Sequence, residues 1–320
     1  MQISSIIFSF LTAFFLSIFG FLGVIPLLRK LKAGQNILSY VHEHSKKNGT
    51  PTMGGSVFIT ASIISCLCFV DSLDRTLAVT LVIGLAYMLI GLLDDALKMK
   101  RKENLGLTAW QKIIFQISVA IFATVYAKGA GLTTLNIPFF NEQIDFGVWI
   151  IPVGIFVFLA TVNCVNLTDG LDGLASSSCF PFFLFFGVLL CLHGNQNLSI
   201  LAFCISASLM AYLCFNSNPA SIFMGDTGSL SLGGLASCIA LFSGNLLYIA
   251  TVGVVFILSG ASVILQVAYF KWTKGKRIFK MTPIHHHFQQ CGYSEAKISY
   301  CYFALTCILA LINFAFLIAK

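Results

Sequence analysis

The chain has 320 residues, of which 58% are apolar and 10% charged, with a formal net charge of +7 and a mean hydropathy of +0.90. Soluble domains carry roughly 25% charged residues, so this composition excludes a soluble globular protein. Apolar runs from end to end also exclude a soluble chain with a single anchor. What remains is an all-α, polytopic membrane protein with one integral-membrane domain over residues 1–320.

A span needs about 20 apolar residues. In chain order the hydropathy predicts ten, at 3–28, 53–70, 76–94, 110–127, 148–165, 178–193, 198–215, 229–243, 246–270 and 299–319. The first lacks a basic n-region and a small-residue cleavage site, so it reads as a retained helix and not as a signal peptide. Between the fourth and fifth spans, TTLNIPFF and QIDFGVW alternate loosely, which predicts a short outer β-hairpin near 132–147. The eleven Cys show no metal-ligand spacing and sit mostly inside apolar runs, as small buried hydrophobes do.

Lys and Arg set the orientation. Segment 29–52 holds Arg29, Lys30, Lys32, Lys46 and Lys47; segment 95–112 holds Lys98, Lys100, Arg101, Lys102 and Lys112. Segment 271–298 holds Lys271, Lys274, Lys276, Arg277, Lys280 and Lys297. The opposite face has only Arg75, Lys128 and Lys320. The basic face is therefore cytoplasmic and both termini are extracytoplasmic. This bias accounts for the net charge, so no nucleic-acid partner is implied; it also favours an anionic substrate and anionic lipid.

Only twelve residues are Asp or Glu, and five of them fall at the cytoplasmic ends of spans: Asp94 and Asp95 in GLLDDALK, Asp169 and Asp172 in NLTDGLDG, and Asp226 in FMGDTGS. Carboxylates beside hydrocarbon are costly and mark ion paths or reaction centres. Two adjacent acids at a helix C-terminus oppose the macrodipole, so Asp94 and Asp95 are poor capping residues. As neighbours they separate their proton affinities, so that one can hold charge or metal while the other accepts a proton. Asp169 and Asp172 share a face if helical, and Asn163 and Asn166 extend that polar stripe into the preceding span. Gly225, Gly228 and Ser229 around Asp226 suit a phosphate nest at a helix N-terminus. Acids beside Gly-rich turns suggest Mg²⁺ and phosphate. Lys47, Thr50 and Thr52 add a cation and two hydroxyls. His285, His286 and His287 are consecutive, whereas Zn²⁺ sites space their His, so donors to phosphate or sugar are the better reading. Intramembrane acids also build transporters, but those place acids near mid-span in repeated halves; here they gather at one face and no repeat is visible.

The strings GTPTMGG (49–55), LLDDALK (92–98), NLTDGLDGLA (166–175), FMGDTGSLSLGG (223–234) and MTPIHHHF (281–288) closely resemble those of the phospho-N-acetylmuramoyl-pentapeptide transferases of bacterial peptidoglycan synthesis. The likeness runs in order over essentially the whole chain. It implies a ten-helix, usually homodimeric enzyme of the bacterial cytoplasmic membrane, its cleft open to the cytoplasm. The implied reaction takes phospho-MurNAc-pentapeptide from UDP-MurNAc-pentapeptide to undecaprenyl phosphate and gives lipid I and UMP, with Mg²⁺ required. By motif match, the resemblance makes Asp226 the Mg²⁺ ligand and Asp94 and Asp95 the pair that binds or deprotonates the lipid phosphate. It puts Lys47, Gly170, Leu171, Asp172 and Phe223 in a uridine pocket, with Asn163, Asn166, Asp169 and Asn216 along the same cleft. Thr52, Ser229, Gln266, His285, His286 and His287 match polar residues around the sugar-phosphate groove. A sibling transferase acting on UDP-GlcNAc shares the acidic motifs; PIHHHF and GTPTMGG favour the muramoyl branch. Direct attack by the lipid phosphate and a two-step route through a phosphorylated carboxylate are both open at this level.

Overall fold

The computed structural model of the protein describes residues 3–30, 49–101, 105–140 and 142–319. Its helices in chain order are α1 (Ile3–Lys30), α2 (Gly55–Phe69), α3 (Arg75–Arg101), α4 (Ala109–Gly129), α5 (Ile150–Thr168), α6 (Leu174–Leu192), α7 (Gln196–Asn216), α8 (Gly225–Phe242), α9 (Tyr248–Val252), α10 (Val254–Trp272), α11 (Ile284–Gln289) and α12 (Glu295–Ile318). Eight of them, α1, α3, α4, α5 with the turn before it, α6, α7, α10 and α12, are long and apolar enough to cross a membrane. The other two expected spans form α2, which is apolar but 15 residues long, and α8.

Helix α8 falls outside that group for a physical reason. Every residue from Thr227 to Phe242 is buried, so its neighbours are protein and not lipid. It needs small residues for close approach more than it needs hydropathy. Helices α2, α3 and α5 pack around it. It runs antiparallel to α3: Asp226 lies at Gly91, and Ser231 donates to Gly84 O at 2.9 Å. Tyr87 of α3 lies beside Gly234, stacks on Phe158 of α5 at 6.3 Å and donates from its hydroxyl to Gln116 O at 3.0 Å. One buried ring thus joins α3, α4, α5 and α8.

The expected span 246–270 is broken. Gly253 leaves helical geometry (φ −89°, ψ 24°) and divides it into α9 and α10. An apolar run hides such a break, because hydropathy continues across it. The expected hairpin is present as β1 (Thr134–Asn136) and β2 (Gln143–Asp145), antiparallel with Leu135 opposite Ile144. It is anchored to the α8–α9 turn by Asn136 N to Gly244 O (2.7 Å) and Asn136 Nδ2 to Asn245 Oδ1 (3.0 Å).

The start of α8 is reached by backbone on two sides. A Cβ on Gly91 would lie 2.1 Å from Asp226 O, and one on Gly55 would lie 2.1 Å from Gly228 N. Backbone cannot yield as a side chain can, so both positions need glycine. Gly91→Ala is expected to destabilise the protein by about 1–3 kcal/mol, the usual cost of overpacking, read as a lower thermal midpoint in detergent. Gly23→Ala, at a helical site with nothing within 4 Å, should leave the midpoint unchanged or slightly higher.

Candidate active site

Five helices meet at one cluster. Helix α3 supplies Asp94, Asp95 and Lys98 and continues past them to Arg101, so the two acids lie inside the helix and not at the C-terminus expected of a span ending at 94; the first turn of α4 supplies Lys112; α5 supplies Asn163 and Asn166; the start of α8 supplies Asp226, Thr227 and Ser229. The segment entering α2 brings Thr52 beneath Gly225. Thr108 sets the start of α4 through a reciprocal cap with Gln111, and this fixes the turn on which Lys112 stands.

The two adjacent acids have different environments. Asp95 closes the N-terminus of α8: its Oδ1 accepts from Asp226 N (3.2 Å), and its Oδ2 accepts from Thr227 N (3.0 Å) and Thr227 Oγ1 (2.7 Å). Helix N-termini leave N–H groups unpaired and favour an anion. The anion here is a side chain from another helix, so the seat read in the sequence as a phosphate nest holds the Asp95 carboxylate. Asp94 accepts from Leu107 N at 2.9 Å and pairs with Lys98 at 2.7 Å and Lys112 at 3.3 Å. Asp226 pairs with Lys112, lies 3.5 Å from Lys98 and accepts from Asn166 Nδ2 at 3.0 Å. Its side chain is 13% exposed against 1% for Asp94, so Asp226 is the more accessible of the two carboxylates. The same Asn166 amide donates to Ser229 Oγ at 2.8 Å, and Asn163 is held by Gln116 Oε1 at 2.7 Å.

Asp94, Asp95 and Asp226 each present an oxygen within 4.8 Å of the others'. The donors are all oxygens, which suits a hard divalent cation of the Mg²⁺ kind. Thr52 Oγ1, buried at the same place, has no hydrogen-bond partner among the described residues. The residues present therefore fit such an ion.

A second group lies around the 169–173 turn. The Nε2 atoms of His285 and His286 approach Gly170 so closely that a Cβ there would lie 2.3 Å and 3.2 Å from them. Asp169 is half-buried; desolvation raises its carboxyl well above the usual carboxylate range, and the charges of Asp226, Asp95 and Asp172 add to the effect. His285 is fully buried, and burial, followed by the neighbouring His286, pulls its ring down to about 3. His287 faces elsewhere and accepts from Lys280 N at 3.2 Å.

Several residues that the sequence puts in the cleft bind its walls. Asp172 Oδ2 accepts from Asn218 Nδ2 (3.1 Å) and Ala220 N (3.0 Å). Asn216 accepts from Gly173 N and Ser176 Oγ and donates to Ile222 O. Gln266 accepts from Ile278 N and Phe279 N and donates to Phe279 O, which folds the loop before α11. Leu171 is buried, while Phe223 is half-buried and hydrogen-bonded through its backbone to Pro51 and Gly54. Lys47 lies outside the described residues. Lys98, Lys112, Gln116 and Thr227 are in the cluster but were not singled out by the sequence reading, where the two lysines counted only toward topology. Lys98 had a signal, since it follows Asp94 by one helical turn. Lys112 had none, because its partners lie on other helices.

The model of the family described as glycosyl transferase family 4 matches residues 77–244, a stretch that includes the whole acid and lysine cluster. This defines the class. The chain is also similar over its full length to three proteins named phospho-N-acetylmuramoyl-pentapeptide-transferase. That of Clostridium perfringens (strain 13 / Type A) is 45% identical over 314 residues, covering 98% of each chain. That of Clostridium novyi (strain NT) is 44% identical over 320 residues, and that of Listeria monocytogenes serotype 4b (strain CLIP80459) 42% over 318, each again covering 98% of both chains. The chain belongs to the phospho-N-acetylmuramoyl-pentapeptide-transferase family.

The His285 environment fixes a pH dependence. Its ordinary value is 6.5, and in the fold it is about 3. Unfolding therefore takes up a proton below pH 6.5, and the contribution of the neutral ring is complete above that value and lost as pH falls toward 3. By pH 5 the loss is about 2 kcal/mol. Thermal midpoints measured at pH 7.5 and pH 5 should fall less in His285→Phe than in the native protein. An equal fall in both would remove His285 as the cause.

Proposed function

We propose that the protein transfers phospho-MurNAc-pentapeptide from UDP-MurNAc-pentapeptide to undecaprenyl phosphate, releasing UMP and forming lipid I. The observation that carries this reading is the pocket of three carboxylates and two lysines, in a chain 42–45% identical over its whole length to transferases of that name. The reading includes one integral-membrane domain of ten spans in a bacterial cytoplasmic membrane. Both termini lie outside and the cleft opens to the cytoplasm, as the Lys and Arg bias supports. It also includes assembly as a homodimer.

The chemical problem is to bring a lipid phosphate against a diphosphate, both anionic. Lys98 and Lys112 place two ammonium groups where charge gathers on the diphosphate and then on the leaving UMP. Asp226, with Asp94 and Asp95 beside it, would hold Mg²⁺, which when bound supplies further positive charge to the phosphate oxygens. Asn166 and Ser229 orient Asp226 from the α5 side. In the favoured route an oxygen of the lipid phosphate bonds to the β-phosphorus, the bond from that phosphorus to the bridging oxygen breaks, and UMP leaves with the electron pair. Direct transfer is favoured because both buried acids are already engaged: Asp95 by three donors and Asp94 by two ammonium groups and an N–H. A carboxylate so held is a poor nucleophile. Asp94 then acts by orienting the lipid phosphate, through the two ammonium groups it holds. His286, Gly170 and Phe223 are assigned to the nucleotide and sugar side, with His285 buried behind Gly170.

Purified protein in detergent with undecaprenyl phosphate and Mg²⁺ is expected to release UMP from UDP-MurNAc-pentapeptide and not from UDP-GlcNAc. Chelation and Asp226→Asn should each lower turnover at least a hundredfold, and no phosphorylated enzyme should accumulate. Turnover with UDP-GlcNAc instead would move the protein to the sibling branch. A trapped aspartyl phosphate would replace direct transfer by the two-step route.

A further inference from the structure

We infer that Glu295 is a positioning residue that fixes the tautomer and placement of His286 through Gln289 and ties that histidine to the 169–173 turn; this rests on the transferase reading above. Glu295 is the first residue of α12, and Ser294 caps the helix by accepting from Lys297 N. The two oxygens of the Glu295 carboxylate point to different elements. Oε2 accepts from Asp172 N at 3.1 Å, and Oε1 accepts from Gln289 Nε2 at 3.5 Å. Gln289 Oε1 in turn lies 3.1 Å from His286 Nδ1.

The chemistry of the chain orders its protons. A carboxylate only accepts, so the Gln289 amide must turn its NH₂ to Glu295 and its oxygen to His286. That oxygen also only accepts, so His286 Nδ1 must carry a hydrogen. In the neutral ring, Nε2 is then the acceptor. This is the nitrogen that stands over Gly170. A negative charge more than one side chain away thus determines which face of His286 the cleft meets. An imidazole whose far nitrogen is held by such a chain keeps one orientation, as in other couples of carboxylate and histidine.

The same carboxylate holds the turn. Asp172 N–H is bound by Glu295, Asp172 O accepts from Ser299 Oγ at 2.8 Å, and Ser299 lies one turn further along α12. Helix α12 therefore sets the spacing between the turn that carries Gly170 and the helix that carries His286. The Glu295 carboxylate thus touches both sides, the turn through Asp172 N and α11 through Gln289. Nothing in the local sequence announces it: an acid in the first turn of a helix reads as a favourable macrodipole residue and no more.

The test is a cycle of four full-length proteins: native, Glu295→Gln, His286→Ala and the double variant. Each is measured for kcat/KM and for the Kd of UDP-MurNAc-pentapeptide without lipid. Glu295→Gln keeps the size and one acceptor, so the turn remains bound, but its NH₂ then faces Gln289, whose amide turns round and offers NH₂ in place of oxygen to His286 Nδ1. The expected result is a loss of about tenfold in kcat/KM in the native background and less than twofold once His286 is already Ala. The same pattern is expected in Kd, and Glu295→Asp should recover part of the loss. Gln289→Leu, which breaks the chain without touching Asp172, should lose as much as Glu295→Gln, and it serves if the Glu295 variants fail to fold. Equal losses in both backgrounds, or none in the native one, would overturn the inference. A native protein that neither binds nor turns over the muramoyl substrate would remove the transferase reading, and this proposal with it.

Discussion

The rest of the structure depends on how three carboxylates are kept beside one another near the end of a membrane helix. Each needs donors, because an uncompensated charge in a poorly hydrated site is far too costly to persist. Two come with Lys98 and Lys112, one with the N–H of Leu107, and three with the first turn of α8. These donors lie on α3, on α4 and the segment before it, and on α8, so satisfying the acids requires those segments to converge. The glycines follow from that requirement. Gly91 lets α3 come against the backbone of Asp226, and Gly55 does the same for α2 against Gly228. Small residues run on through α8 because it is enclosed by helices along its whole length.

The convergence also separates the roles of acids that look equivalent in sequence. Asp95 and Asp226 both sit at the start of α8, yet Asp95 closes the helix while Asp226 faces outward from its first turn. Asp94 lies between, buried and bound to both lysines. The fold thus uses one acid to hold the start of α8 and leaves another more accessible. Destabilisation should therefore track Asp95 more than Asp226.

The acids were legible because their cost in a membrane protein is high and their occurrence here is rare. The hairpin was legible from alternation alone. Other features were not, for reasons that differ. The break at Gly253 leaves hydropathy unchanged across it. Lys112 stands in a basic segment, where the topology rule explains any cation and so hides a specific one; only Lys98, one turn after Asp94, carries a local signal. Asn216, Gln266 and Asp172 are polar residues at the right places, but their partners lie on segments distant in sequence or in a loop whose path no periodicity encodes. A sequence can show that a polar side chain is out of place in hydrocarbon; it does not show whether that side chain serves a ligand or the wall around it.

The charge of the cluster gives a reason for its donor set. With all three acids ionised and both lysines protonated, the pocket carries a formal charge of −1, and a nucleoside diphosphate approaching it would be repelled. The lysines alone do not reverse this, because their ammonium groups are already taken up by Asp94 and Asp226 at contact distance. Adding a divalent cation would change the sign to +1 and compete with the lysines for the same oxygens, leaving ammonium groups available to phosphate. An all-oxygen trio beside two lysines therefore ties the sign of the cluster's charge to whether a cation is bound. On the transferase reading, an anionic substrate would be attracted once a cation is bound, and the acids that would hold that cation are the ones that hold the lysines beside it.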